Sequence, residues 1–510
     1  MSRKLSALES SVPGLFFAVV PTAVDSFGPV LYFACARFIA GHLSYLSVER
    51  AMNRGSCTPV RSFPTATNLG RADADAPKLK ILVIATRKTP IAARISMALA
   101  DVGFRVAALT PHGHPMRRSR KIQDHFAYHT RPQLKSTIRA IDRWSPDLLV
   151  CADDRAVGEL QTLHQRTAAS DDKVRRHISK LIELSIGPAT SFAAMVNKSE
   201  FLARVEIEGL RFPRTIVIPA TRTFESVPEL IYPIVVKADQ SYGGRCVRII
   251  NSDADVRATV WELQTPTTWR GRRFFGMILG SEALAPLMLS LRRTISLQQY
   301  IPGRPSNRAV ICWKGKVLAG ISVEVVELTH EYGPASVVRL IDHPEMAMVA
   351  EHMVECLNLS GFVGFDFVLD SSNQAWLIEM NPRVTPISHF SLANGTTLAG
   401  SLYRQMTGLR PPSKLAPINR GLIALFPDEI VRSPSSEYLQ SCQHDVPWNE
   451  PEVVSSVLNQ ALQTGILRRV RTFLERYFPT LVGALIRFGL ANPRGDTETS
   501  LGRVDKIIDA

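Results

Sequence analysis

From residue 80 onward, short apolar runs alternate with stretches of helical spacing. KILVIA (80–85), FRVAAL (104–109) and DLLVC (147–151) read as buried strands, and Ile91–Val102 carries the spacing of a helix between the first two. Strands taking turns with helices imply a parallel sheet. Lys173–Ser185 and Asn197–Glu208 read as helices on either side of a Gly-Pro break at Gly187. The pattern then changes period. PIVVK, ending at Lys237, and CVRII (246–250) are strands around the polar loop ADQSYGGR, and RAVICWKGKVLAGISVEVV (308–326) is a strand pair around Lys314-Gly315. A helix over Pro344–Leu359 leads into two aromatic and β-branched runs, Phe362–Leu369 and Ala375–Asn381, joined by the turn formers Asp370, Ser371, Ser372 and Asn373. Further on, Thr397–Thr407 is a helix stopped by Gly408, Ala424–Ile430 a strand, Val453–Phe478 an amphipathic helix with Arg468, Arg469, Arg471 and Arg476 outward, and Leu481–Leu490 a short apolar helix.

Candidate chemistry concentrates in that aromatic hairpin. Side chains alternate across a strand, so Asp366 shares a face with Gly364 and Val368, and Glu379 shares one with Asn381. The hairpin register brings Asp366 opposite Glu379. Two carboxylates and an amide in otherwise apolar strands are costly without a cation or hydrogen-bond donors to neutralise them. Oxygen donors of this kind suit Mg²⁺, which takes a few carboxylates together with phosphate oxygens. Arg383, two residues past Asn381, is near enough to stabilise charge on a transferred phosphoryl group. Upstream, Lys237 leaves its strand beside a loop carrying Gly243 and Gly244, a point charge next to backbone that can approach an anion closely.

These motifs, in this order, resemble the ATP-grasp superfamily. GFDFVLD followed by LIEMNPR is similar to its metal-binding signature, especially that of the carbamoyl-phosphate synthetase and biotin carboxylase branch. The resemblance implies an ATP-grasp fold, α/β and α+β in class, with a preceding parallel-sheet α/β domain and a helical C-terminal tail. It implies that Asp366, Glu379 and Asn381 hold Mg²⁺ or Mn²⁺, that Arg383 acts on the reacting carboxyl or acyl phosphate, and that Lys237, also catalytic, contacts the α- and β-phosphates of ATP. Lys198, at the head of a helix, resembles a phosphate-contacting lysine; Ser241, Gly243, Gly244 and Arg245 resemble part of a mobile lid. LQQYI resembles the segment whose backbone reads the adenine edge, which implicates Gln298, Gln299, Tyr300 and Ile301. Two departures stand out: Asp366 is Asp where many members have Glu, and the Gly-Gly is short beside the long glycine run of biotin carboxylases.

The implied activity is a ligase that phosphorylates a small-molecule carboxylate for attack by an amine or similar nucleophile. A bicarbonate- or carbamate-activating enzyme and a non-catalytic ATP-binding regulator are the alternatives. The expected divisions are an apolar and linker extension over 1–76, an α/β domain over 77–187, the nucleotide grip over 188–408 with a small lobe at about 230–297, and a mainly helical region over 409–510. Thr86, Arg87 and Lys88 after the first strand, and Asp153 and Asp154 after the third, are either contacts to the non-nucleotide substrate or turn and capping residues. The stretch Leu263–Leu291, with Arg270, Arg272, Arg273, Phe274 and Phe275, is either a site for an acidic or bulky substrate or a surface helix pair.

Composition adds limits. The net charge of +14 favours anionic partners, but no nucleic-acid module is present, so no nucleic acid is expected and a solvated basic surface is the simpler reading. The first strand runs out into ATRKTP, so the G-x-G-x-x-G dinucleotide fingerprint is absent. Seven scattered cysteines with no C-x-x-C spacing point to a reduced, cytoplasmic protein. In Pro13–Leu46, Asp25, Arg37 and three prolines interrupt the apolar residues, leaving no run of the roughly 18–20 that a bilayer span needs. A peripheral membrane contact through this extension and a homo-oligomer both stay open. His112 and His114, in PHGHP, have no third ligand nearby and read as loop residues.

Overall fold

Hydrophobic burial explains the first sheet. In the computed structural model, the apolar runs become β1 (Lys80–Ile84), β2 (Arg105–Thr110) and β4 (Leu148–Cys151), joined by the short β3 (Asp124–Ala127) in the all-parallel order β3-β2-β1-β4. The structure describes residues 79–130, 133–170, 172–220, 231–238, 246–264, 293–392, 395–411 and 421–461. The sequence readings at 1–76, on the lid residues Ser241, Gly243, Gly244 and Arg245, on the arginines and phenylalanines of the 263–291 stretch, and on the helices beyond 461 lie outside them.

Helices cover both faces of this sheet, as strands buried on two sides require. Helix α1 (Pro90–Asp101) packs on the face of Ile81, Val83, Val106 and Ala108, and α2 (Gln133–Trp144) and α3 (Asp154–Ala168) on that of Leu82, Ile84, Ala107 and Leu109. Helix α4 (Lys173–Ile186) stops at Gly187, whose φ of 116° suits a residue without Cβ. After the short α5 (Phe192–Val196), α6 (Lys198–Ile207) begins at Asn197, whose side chain accepts from the Ser199 amide as a cap.

A small lobe follows, with its own apolar core of Ile218, Ile234, Val236, Val256, Val260, Ile295 and Leu297. It is an antiparallel sheet of β5 (Thr215–Ile218), β8 (Ile295–Gln299), β6 (Ile234–Ala238) and β7 (Val247–Ile250), backed by α7 (Asp253–Gln264).

The largest sheet holds β9 (Arg304–Trp313), β10 (Lys316–Leu328), β11 (Ala335–Ile341), β12 (Gly361–Leu369) and β13 (Ala375–Asn381), with α8 (Pro344–Cys356) on one face and α9 (Leu398–Thr407) on the other. Its order continues through β14 (Leu422–Ala424) to β15 (Gln443–His444). The expected strand over Ala424–Ile430 is corrected here. Pro427 removes a ladder donor, and α10 (Asp428–Arg432) starts immediately after it, so the strand ends at Ala424. The short α11 (Tyr438–Ser441) precedes β15, and residues 451–461 form a helix that buries Val453, Val454 and Val457.

Among the described residues no helix is long and apolar enough to cross a membrane. The five described cysteines are free thiols, and burial pushes the Cys151 and Cys312 thiols well above the usual range, leaving them inert as nucleophiles. His114 is buried, its Nδ1 accepting from the Met116 amide at 3.0 Å, and burial lowers its pKa to about 3, in keeping with a loop histidine.

Candidate functional site

The hairpin of β12 and β13 sets the geometry. Asp366 pairs directly with Glu379 and Gly364 with Asn381, while Asn307 of β9 lies opposite Asp366 from the other side. Residues facing each other across a ladder share a face. Phe365 and Phe367 point the other way into the core, anchoring the strand so that its polar residue comes out on the site side. A Cβ on Gly364 would stand 2.3 Å from Thr385 Cγ2, so only glycine lets the chain after Arg383 lie flat on the sheet.

Both oxygens of Asp366 are held. Asn307 Nδ2 donates to Oδ1 at 2.6 Å and Asn381 Nδ2 to Oδ2 at 2.8 Å. Burial, and then the facing Glu379 carboxylate, raise the Asp366 carboxyl above the ordinary aspartate range. Asn307 Oδ1 is buried and has no hydrogen-bond partner among the described residues. Like charges pressed together beside an unsatisfied oxygen fit a small oxygen-preferring cation, which would relieve both.

Three cations border this set. Lys198, in the first turn of α6, reaches Glu379 Oε2 at 3.1 Å, and Lys237 of β6 donates to Gln298 Oε1 at 2.7 Å. Lys237 has its pKa lowered to about 8 by burial and by Lys198, against the opposing pull of Glu379 and Asp366. Arg383 donates through Nε to Asp154 Oδ1 at 2.7 Å and through a terminal nitrogen to Asn381 Oδ1 at 3.0 Å. Burial works against its charge, but Asp154, Asp366 and Glu379 outweigh that and raise its pKa.

The parallel sheet enters through its carboxyl edge. Asp153 caps α3 by accepting from the Ala156 amide at 3.0 Å, and it also takes the Thr86 amide at 2.7 Å and the Thr86 hydroxyl at 2.8 Å. Thr86 and Asp153 are therefore tied to each other, as turn and capping residues. Asp154 instead faces Arg383, and the Val384 amide donates to Cys151 O at 3.1 Å, so the ends of β4 and β13 meet.

Residues 281–386 match the family model of the ATP-grasp domain. The chain carries an ATP-grasp domain. That match takes in Gln298, Asn307, Asp366, Glu379, Asn381 and Arg383, whereas Lys198 and Lys237 of the described site come before it.

No curated protein matches the chain. Among solved structures it is similar to an L-amino acid ligase from Bacillus licheniformis, at 12% identity over 64% of this chain and 73% of that one, with a TM-score of 0.45. An N5-carboxyaminoimidazole synthetase from Staphylococcus aureus complexed with ADP gives 14% identity over 70% and 84%, with a TM-score of 0.47. The biotin carboxylase domain of the Hydrogenobacter thermophilus 2-oxoglutarate carboxylase, in complex with MgADP, ADP and bicarbonate, gives 14% over 67% and 73%, with a TM-score of 0.45.

Within the matched stretch, β8, an internal strand of the small-lobe sheet, ends at Gln299. Gln298 is buried and links Lys237 to Thr215, donating to its hydroxyl at 3.0 Å, while the Tyr300 amide is bonded to Pro233 O at 3.3 Å. Asn307 is the site residue that sequence reasoning missed. Its signal was available: it stands in phase with Ala309 and Ile311 on β9, a polar residue on a face that turns apolar further along.

Proposed function

We propose that the protein is an ATP- and Mg²⁺-dependent ligase that converts a small carboxylic acid to an acyl phosphate for attack by an amine or similar nucleophile. The observation that carries this reading is the convergence of two lysines and an arginine on one carboxylate pair, from a helix, a strand of the small lobe and the loop after the hairpin. A carboxylate is a poor electrophile until one of its oxygens becomes a phosphate leaving group. In the first step a carboxylate oxygen bonds to the γ-phosphorus of ATP as the bond to the departing ADP oxygen breaks. In the second the nucleophile attacks the acyl carbon and inorganic phosphate leaves with the electron pair.

Asp366, Glu379 and Asn381 would hold the divalent cation, with Asn307 keeping the Asp366 carboxylate in place. When bound, the cation supplies charge neutralisation for the phosphate oxygens. Lys237 and Lys198 would bind phosphate oxygens, and the fork of Arg383, held by Asp154 and Asn381, would take the oxygen on which charge develops. Phosphoryl transfer asks chiefly for such positioning and charge compensation.

The test is ADP release from MgATP with a panel of carboxylic acids, each with and without amines, using the full chain and its Glu379→Gln variant. Acid-dependent release that Glu379→Gln abolishes is expected. Tight MgATP binding with no release for any acid would overturn the ligase reading in favour of a regulator, and release with bicarbonate alone would move it to a bicarbonate-activating enzyme.

A further inference from the structure

Six residues after Arg383 along the same loop stands a buried polar cluster with no part in the chemistry above. His389, its side chain 7% exposed, sets Nε2 at 2.9 Å from Asp445 Oδ1. Arg94 of α1 pairs with the same Asp445 oxygen and brings its Nε to 3.2 Å from His389 Nε2. Asp445 is itself fixed, because its amide donates to Ala424 O at 3.1 Å and extends β15 along β14. Asp428, at the head of α10, faces Asp445 from a second element, and burial followed by that charge raises its pKa to about 6.

The contacts constrain the proton. A guanidinium can only donate and a carboxylate only accept, so Nε2 cannot satisfy both Arg94 and Asp445. The 2.9 Å approach to Asp445 puts the proton on Nε2, which donates to the carboxylate oxygen that also accepts from a terminal nitrogen of Arg94. His389 Nδ1 is left buried without a partner among the described residues. A buried ionic cluster of this kind is weak as a source of stability, and its best-attested use is to fix one arrangement of parts against others.

The parts fixed here are identifiable. The loop from Arg383 to His389 is tied at its near end to β4 and α3, through Val384 to Cys151 and Arg383 to Asp154. Buried Val384 and Ile387 hold its middle down. His389 ties its far end to α1 and to the C-terminal segment, and Gln460 of that segment reaches the same edge by donating to Lys88 O at 2.8 Å. The loop therefore spans the carboxyl edge of the parallel sheet, pinned at both ends, with Arg383 at one of them.

We infer that His389, Asp445 and Arg94 form a positioning lock through which the C-terminal segment sets the register of the Arg383 loop, and hence engagement of the acid substrate rather than of the nucleotide. The division follows from location: Lys198 and Lys237 sit on α6 and β6, outside the lock, whereas Arg383 shares its loop. This inference rests on the proposed ligase reading for its kinetic half only.

The test uses the full chain with Asp445→Asn, which keeps the shape, and His389→Gln. Amide hydrogen exchange should speed up by about tenfold or more in peptides covering 383–389 and stay unchanged in those covering β12, while MgADP affinity by calorimetry stays within about twofold of wild type. With an acid that supports turnover, KM for that acid should rise by about tenfold or more with a smaller fall in kcat. Unchanged exchange over 383–389 overturns the lock. Altered exchange with an unchanged KM overturns its link to the acid, and equal losses of MgADP affinity, thermal stability and turnover mark the cluster as general scaffold and also overturn it. A wild-type chain that binds MgADP yet turns over with no acid removes the ligase reading alone, and the exchange result still judges the lock.

Discussion

Asp366→Asn separates what the site costs from what it does. The carboxylate accepts from two amides, and one arm of the replacement must become a donor facing one of them. Asn381 cannot turn to meet it, since its Oδ1 already accepts from Arg383 at 3.0 Å. Asn307 can, because its Oδ1 has no partner, and a half-turn of that amide restores the pair. The variant therefore keeps the hydrogen bonds and loses the charge. In the wild type the folded-state carboxyl is raised by burial and by Glu379, so its contribution to stability is full below the unfolded aspartate pKa and is lost as pH rises through the folded value. Once the pH has passed the folded value that loss is complete, and removing the charge should leave the thermal midpoint equal to or above that of wild type, with the advantage fading towards acid pH. Divalent-cation-dependent ADP binding loses one of two carboxylates, a charge-assisted interaction of about 1.5–3 kcal/mol, or roughly 10- to 150-fold in Kd. Thermal unfolding across pH, paired with calorimetry at fixed Mg²⁺, reads both quantities. A variant that melts several degrees lower than wild type at every pH while binding MgADP as before would refute the reasoning and make Asp366 a structural residue.

Three further outcomes are expected. Lys237, with its pKa near 8 in the free protein, must be charged to hold phosphate, so MgADP binding should take up a proton above about pH 8 and weaken by up to about tenfold per pH unit; calorimetry in buffers of different ionisation enthalpy measures this, and Lys237→Met should abolish it. Gly364→Ala places a methyl group 2.3 Å from Thr385 Cγ2 and should cost about 1–3 kcal/mol in denaturant unfolding. Arg383→Lys keeps a charge but loses the fork between Asp154 and Asn381, and acid-dependent ADP release should fall by about 100-fold with MgADP affinity nearly unchanged.

The parts legible in the sequence are those where local pattern and chemistry coincide. The β12–β13 hairpin announced itself by aromatic alternation and a polar turn, and its register places Asp366 against Glu379 as the alternation requires. Lys237 was visible as a charge at a strand end. Asn307 left a signal in its phase with Ala309 and Ile311, but the preceding Pro305 and Ser306 give the start of its strand the look of a turn and mask it. LIALF (422–426) is an apolar run of strand character that carries the eye past Pro427, where the chain turns into a helix. Long-range polar pairs left no local trace at all: Arg383 meets Asp154 across 229 positions and Arg94 meets Asp445 across 351. Such partners are selected by tertiary geometry, and neither periodicity nor propensity encodes them.

The placement of β14 bears on how the protein can be handled. Leu422, Ile423 and Ala424 cover the outer rim of β11 by pairing with Arg339, Val338 and Val337. A chain cut back before residue 421 would leave that rim as a row of open amides and carbonyls flanked by Val337 and Val338, a template for edge-to-edge self-association. Trimming the chain there to simplify expression would thus favour self-association through that rim, and a loss of activity in such a truncation would say nothing about catalysis.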